Sequence, residues 1–273
     1  MSARHKRERL IERLEAMDSL LIAFSGGVDS TFLLALAHQV LKDRVLAVTA
    51  VSPVHPLRER MEAIAFVRER KIGHILVETE EMRMAQFLAN RPDRCYWCKK
   101  ALFQKLLIIA EEKGLKQVVH GANFDDLDDY RPGSRAAEES GIAAPLLEVC
   151  MTKEDIRHLS REMSLPTWDK PPSACLASRI PYGEPVTDQK LVMIERAEEC
   201  LLDLGFKQCR VRHHGAVARL ELEGKEAQRV FEVGLRKRII EGFREIGFIH
   251  IAVDLEGYVS GSMNRCLPKN SKR

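Results

Sequence analysis

Leu20-Leu21-Ile22-Ala23-Phe24-Ser25-Gly26-Gly27-Val28-Asp29-Ser30 runs from five apolar residues through a Gly-Gly pair into the start of an apolar helix. That order predicts a strand, a tight turn and a helix N-terminus in direct succession. Two glycines remove the Cβ atoms that would keep backbone N–H groups away from an anion. The helix start adds unpaired donors and the positive end of the dipole, so a phosphate is the natural guest. Ser25 and Ser30 supply hydroxyls, and the Asp29 carboxylate suits Mg2+ beside a polyphosphate. No G-x-x-x-x-G-K-[ST] occurs in the chain, so this is not a Walker A loop. An ordinary Ser-Gly turn before a helix is the plain alternative. Both serines, the aspartate and the strand–helix setting favour a polyphosphate over it.

Outward from the loop, Leu10, Ile11, Leu14 and Met17 fall at helical spacing over residues 7–17. Further expectations are a helix over 30–41, a strand buried on both faces at 45–51 and an amphipathic helix over 61–70. A strand at 74–77, a helix over 97–113 and a strand at 117–121 ending on Gly121 follow. Alternating strands and helices predict an α/β fold, a doubly wound parallel sheet with helices on both faces. Ligands of such sheets sit beyond the carboxyl ends of the strands, where the loop at 25–30 and the segment after Gly121 both fall. After Pro181-Tyr182-Gly183-Glu184-Pro185 the texture changes. A helix is expected over 191–204, short strands at 209–213 and 217–222, a helical stretch over 225–245 and a strand at 248–253. The expected division is a nucleotide-binding domain over 1–184 and a small α+β domain over 185–273.

The chain has 273 residues, 45% hydrophobic and 30% charged, the make-up of a soluble globular protein. A net charge of +3 gives no case for nucleic acid as a partner. No run of about 18 apolar residues is present, so no membrane span is expected. The basic N-terminus has no apolar stretch behind it, so no export signal is expected either. Seven cysteines are an odd number, expected as reduced thiols in a cytoplasm. Metal and nucleophile chemistry therefore come before disulfide bridges.

His120-Gly121-Ala122-Asn123-Phe124-Asp125-Asp126 leads from a strand into Asp128-Asp129-Tyr130-Arg131-Pro132-Gly133. An acidic cluster at the edge of a phosphate site can coordinate Mg2+, and Arg131 can hold a departing pyrophosphate. A solvated acidic turn is the alternative. Cys95-Tyr96-Trp97-Cys98-Lys99 is a C-x-x-C at the entrance of a helix, suited to a redox dithiol, half a zinc site or two ligands of an iron–sulfur cluster. Spacing alone does not choose among them. Cys175 lies in a proline-framed polar stretch, Lys170-Pro171-Pro172-Ser173-Ala174-Cys175, with Arg179 near enough to favour a thiolate if it faces the sulfur. Cys150, Cys200, Cys209 and Cys266 are expected to be packing residues. Arg210 and Arg212 alternate on an expected strand and share a face, with Arg219 and Glu221 on its partner. Two guanidinium forks there suit a phosphate or a pair of carboxylates. A solvated face paired with Glu221 and Glu223 is the alternative.

The S-G-G-x-D-S pattern at 25–30 resembles the PP-loop of the ATP-pyrophosphatases, which have a HUP-like α/β fold and cleave ATP to AMP and pyrophosphate. Taken with 94–99, 121–126, 129–133, 175–183 and 210–215, the chain resembles over nearly its whole length one branch of that superfamily, the LarE-type ATP-dependent sacrificial sulfur transferases. The resemblance implies that ATP and Mg2+ are held by Ser25, Gly26, Gly27, Asp29 (on the metal), Ser30, Gly121, Asp126 and Arg131. It implies adenylation of the carboxylates of pyridinium-3,5-biscarboxylic acid mononucleotide, a small nucleotide held by Trp97, Ser178, Arg179, Glu198, Arg210 and Arg212. Sulfur then replaces AMP in nickel-pincer cofactor synthesis. Either Cys175 is the sacrificial donor, left as dehydroalanine, or Cys95, Cys98 and Cys175 hold a [4Fe-4S] cluster that delivers an added sulfide. The C-x-x-C favours the cluster. A cytoplasmic homo-oligomer, working with other enzymes of nickel-pincer cofactor synthesis, is the setting the resemblance implies. The rivals are a PP-loop tRNA thiolase, which would need a basic stripe or RNA-binding module, an amidating GMP- or NAD-synthetase-like ligase, which has no use for the three cysteines, and a non-catalytic ATP-binding module.

Overall fold

Leu20, Leu21 and Ile22 are all fully buried, so the strand they form is covered on both faces. The computed structural model describes residues 1–128, 132–224 and 226–267. They group into two units: Met1–Glu81 with the described part of Asp93–Ser173, and Met82–Pro92 with the described residues from Ala174 onward.

In the first unit, α1 (Ala3–Ala16) starts on Ser2, whose hydroxyl accepts from the His5 N–H. It leads to β1 (Leu20–Ala23), α2 (Val28–Leu41), β2 (Val45–Val51), α3 (Leu57–Glu69) and β3 (Gly73–Glu78). Then come α4 (Arg94–Glu112), β4 (Gln117–His120), α5 (Pro132–Glu139) and α6 (Lys153–Glu162). The strands form one parallel sheet in the order β3-β2-β1-β4, with Ala23 opposite both Val48 and His120. Alternation along β1 sorts the core. Leu20 and Ile22 pack with Leu10, Leu14 and Phe32 on one face, while Leu21 joins Val48, Phe103 and Leu106 on the other. The chain leaves β1 toward β2 and β3 and returns on the far side as β4. The crevice at the carboxyl ends of β1 and β4 is therefore the topological switch point. The doubly wound parallel α/β sheet expected from the pattern is present. Its helices begin earlier than the apolar periodicity implies. Pro56, at φ −54°, leads straight into α3, and α4 takes in the whole C-x-x-C.

The second unit has α7 (Asp188–Asp203), capped by Thr187, then β5 (Cys209–His214), β6 (Val217–Leu222), α8 (Val233–Ile246) and β7 (His250–Val253). β5 and β6 are antiparallel and β7 is parallel to β6, a small α+β arrangement over a core of Phe206, Val211, Leu220 and Phe243. The single helical stretch expected over 225–245 is broken. A short turn, Glu226–Arg229, stops where Val230 dips into the core, and extended Glu232 (φ −61°, ψ 128°) starts α8. The segment 82–92 is tied in by Asn90, whose Nδ2 reaches the carbonyls of Ile180, Pro181 and Glu184 at 2.8–3.1 Å.

Candidate functional site

The loop between β1 and α2 turns on Gly26 at φ +72°, where an added Cβ would meet the Ala63 Cβ at 2.9 Å. Glycine is required twice over here, for the left-handed backbone and for the approach of α3. Gly27 is the N-cap of α2 and offers no side-chain acceptor, so the first N–H groups of the helix keep their capacity for an anion. The two serines fold toward each other: Ser25 Oγ lies 3.0 Å from Ser30 Oγ, and the Ser30 hydroxyl donates to the Gly27 carbonyl at 3.2 Å. Gly121, following β4, runs against the same helix start. A Cβ on it would stand 3.0 Å from Ser30 N and 3.3 Å from the Asp29 carbonyl carbon. Sequence reasoning brought Ser25, Gly26, Gly27, Asp29, Ser30 and Gly121 to one strand edge, and they stand there together.

Two lysines that sequence reasoning missed complete this edge. Lys153 Nζ pairs with Asp29 Oδ2, while Asp29 Oδ1 is buried and has no hydrogen-bond partner among the described residues. Lys170 Nζ donates to the Gly26 carbonyl at 3.1 Å and pairs with Glu62 at 2.9 Å. The acidic segment after Gly121 is an organised turn rather than a loose charge run. Asp126 Oδ2 accepts from the Asn123 N–H, Asn123 Oδ1 from the Asp125 N–H, and Asp125 Oδ2 from the Lys153 N–H at 2.7 Å. Arg131, with Asp129 and Tyr130, lies outside the described residues. An Asp29 carboxylate with one buried oxygen still open fits a magnesium ion, which prefers one or two carboxylates plus phosphate oxygens. His120 at the end of β4 is pushed down to about 4 by burial first and the Lys99 charge second, so it is neutral near pH 7.

Cys95 and Cys98 sit in the first two turns of α4, three residues apart and so on one face. Trp97 Nε1 donates to Asp93 at 3.0 Å. Tyr96 donates to Glu139 at 2.6 Å and lies under Arg135, which locks α5 to this turn. No disulfide joins any of the seven cysteines. Cys95 and Cys98 belong to the first unit and Cys175 to the second. Among the described residues no group of three or more His, Cys, Asp or Glu side chains forms a metal site. The packing role expected for four other cysteines holds for buried Cys209, whose thiol is pushed up to about 12 by burial first and Glu198 second. It fails for Cys150 and Cys266, which are exposed. Cys150 takes φ +56° just past a short helical turn, and Cys266 ends a 3-10 turn, so neither side chain is carried inward.

In the second unit the remaining expected residues form one network. Half-exposed Cys175 caps the 3-10 turn Leu176–Arg179. Arg179 is 2% exposed; its guanidinium donates to the Ala174 and Cys175 carbonyls, to Ser178 Oγ at 2.9 Å, and in bidentate fashion to Glu198 at 2.8–2.9 Å. The guanidinium thus fixes the backbone that carries the thiol. Glu198 also accepts from the Val211 N–H at 3.0 Å. Burial opposes its ionisation, but the Arg179 charge and hydrogen bonds, with Arg210 and Val211, outweigh it and hold the carboxyl below its ordinary value. Arg212 donates to the Ser178 carbonyl at 2.7 Å and forks onto buried Glu221 at 2.6–2.9 Å. The strand face is therefore a desolvated ion network, not a solvated one. Arg210 donates to the Cys209 carbonyl and stacks over Tyr258 at 5.4 Å. Arg179, Arg210 and Glu198 together bring two guanidinium groups to one carboxylate, a local excess of positive charge suited to an anion. Sequence reasoning placed Glu221 on the partner strand but not its burial, and it did not foresee Tyr258 or Ser262, whose hydroxyl accepts from Arg212 at 3.3 Å.

Residues 2–85, which contain the loop, match the PP-loop domain family. The chain is 34% identical to the pyridinium-3,5-bisthiocarboxylic acid mononucleotide synthase of Lactiplantibacillus plantarum over 97% of this chain and 95% of that protein. It belongs to the LarE-type PP-loop sulfur transferases. Membership makes it an enzyme, an ATP-dependent sulfurtransferase. It is also 42% identical to an uncharacterized protein of Synechocystis sp. over 97% of this chain and 98% of that one. An uncharacterized protein of Methanocaldococcus jannaschii is 30% identical over 88% of this chain and 91% of its own. No helix among the described residues is long and apolar enough to cross a membrane.

Proposed function

We propose that the chain converts carboxylates of pyridinium-3,5-biscarboxylic acid mononucleotide to thiocarboxylates at the expense of ATP, for nickel-pincer cofactor synthesis. The observation that carries this reading is the network of Ser178, Arg179, Glu198 and Arg212, cations suited to an anionic substrate, in which Arg179 fixes the backbone that carries the Cys175 thiol. The near full-length identity to a synthase of the bisthiocarboxylic product supports it. Ser25, Gly26, Gly27, Ser30 and Gly121 cradle the triphosphate, with Asp29 holding Mg2+, whose charge offsets that of the polyphosphate. Asp126 keeps its loop in shape, and Arg131 belongs to the same nucleotide set. A substrate carboxylate oxygen attacks the α-phosphorus and pyrophosphate leaves, giving an acyl-adenylate. Arg179, Arg210 and Arg212 hold the substrate's phosphate and second carboxylate, with Trp97 as a flat apolar contact.

Sulfur donation has two forms. Cys95 and Cys98, two thiols on one helical face, fit two ligands of a [4Fe-4S] cluster with Cys175 as the third. Such a cluster would supply a sulfide. The other form is favoured by the half-exposure of Cys175 and the hold of Arg179 on its carbonyl. There the Cys175 thiolate attacks the acyl carbon and AMP leaves. Loss of the Cα proton then breaks the Cβ–S bond, leaving dehydroalanine and a thiocarboxylate. A cytoplasmic homo-oligomer suits either form.

The test is anaerobic turnover with ATP and the dicarboxylate nucleotide, followed by intact-mass and iron analysis. AMP, pyrophosphate and a thiocarboxylate are expected. Loss of one hydrogen sulfide from the Cys175 peptide marks the sacrificial form, and unchanged mass with bound iron and several turnovers marks the cluster. No substrate-dependent AMP would contradict the reading.

A further inference from the structure

Neither the cap nor the dipole of its own helix calls for a cation at Lys153. It is the first residue of α6, where the helix dipole disfavours a cation. The helix is already capped without it: Thr152 Oγ1 accepts from the Asp155 N–H, and Asp155 accepts in return from the Thr152 N–H. Its backbone is nonetheless fixed, because the Lys153 N–H donates to Asp125, whose own N–H is held by Asn123. Asn123 is fully buried, and its Nδ2 has no partner among the described residues. The chain that fixes Lys153 thus starts in the segment following Gly121 and ends with the ammonium on Asp29 Oδ2, leaving Oδ1 open.

We propose that Lys153 is an exchangeable counter-ion of the ATP site. With no nucleotide bound its ammonium neutralises Asp29; when ATP binds with Mg2+, Asp29 turns to the metal and the ammonium passes to the polyphosphate oxygens. This rests on the reading of the loop as an ATP site. Asp29 alone in a phosphate cradle would repel the nucleotide, so a cation must stand on it at every stage. Lys153 is suited to move because a lysine is a compact charge on a flexible stem, and its side chain is 38% exposed. Exchange also makes ATP and the metal bind cooperatively, since each removes the partner that blocks the other.

The test compares wild type, Lys153→Met and Lys153→Arg by calorimetric titration with ATP and Mg2+, and by electron paramagnetic resonance titration with Mn2+ alone. Thermal unfolding confirms that each variant is folded. Lys153→Met is expected to bind ATP about ten- to a hundredfold more weakly, the loss of one charged hydrogen bond. The same variant is expected to bind Mn2+ alone more tightly, because Asp29 is released. Lys153→Arg keeps the charge and should retain most of the ATP affinity. A purely structural lysine would weaken both ligands together, and that result, or unchanged ATP affinity, overturns the proposal. Absence of ATP binding by the wild type would instead defeat the reading of the loop.

Discussion

Asp29 in the first unit and Glu198 in the second are both carboxylates set against a cation, and they are finished differently. Asp29 has one oxygen on Lys153 and the other open, at the head of a helix without a side-chain cap. Glu198 uses both oxygens on buried Arg179 and adds the Val211 N–H. An unfinished site invites a ligand to complete it. A closed network holds its cations in place before any substrate arrives, which is what electrostatic preorganisation requires.

The largest effect is expected at the closed network, on removing Glu198. Glu198→Ala should cost about 3–5 kcal/mol in urea unfolding, because it leaves the Arg179 charge buried without its carboxylate. Replacing both residues with apolar ones should cost less than that single change. A loss under about 1 kcal/mol for Glu198→Ala would mean the network is not closed. At the open site, Gly26→Ala should cost about 2–4 kcal/mol, from a positive φ and a 2.9 Å approach to Ala63. Wild-type stability with normal ATP binding in that variant would show that the loop takes another shape.

Acid weakens both units in the same direction. His120 has a folded value of about 4, below its ordinary 6.5, so the unfolded chain binds more protons between those values. Stability should therefore rise with pH from about 4 to 6.5, by up to about 3 kcal/mol from this residue. His38, His55, His74, His213 and His214 are lowered as well and act in the same direction. Glu198 is lowered too, so its contribution is present above the ordinary carboxylate range and is lost as pH falls through its folded value. His120→Phe should flatten part of the upper segment in pH-dependent urea melts; an unchanged slope would place His120 in solvent. The smallest effect belongs to an exposed pair: Lys237→Ala, opposite Glu241 one turn away on α8, should change stability by about 0.5 kcal/mol or less.

What the sequence revealed follows the range of each interaction. The loop at 25–30 was legible because its glycines, serines and helix start act within six residues. The doubly wound sheet was legible because β1 and β2 are short apolar runs covered on both faces. Lys153 was hidden because its partner Asp29 lies 124 positions away. The burial of Glu221 beneath Arg212, and the exposure of Cys150 and Cys266, likewise depend on how the chain closes rather than on local pattern. Arg210 and Arg212 could be placed on one face by alternation, but not whether that face was wet.

The proposed division of labour is that one set of residues activates a carboxylate with ATP and another supplies the sulfur. Substrate-dependent exchange of labelled pyrophosphate into ATP, measured for wild type and Cys175→Ala together with thiocarboxylate formation, tests it directly. The variant is expected to keep the exchange and to make no thiocarboxylate. Loss of exchange in a folded Cys175→Ala protein, or thiocarboxylate formed without Cys175, would contradict it.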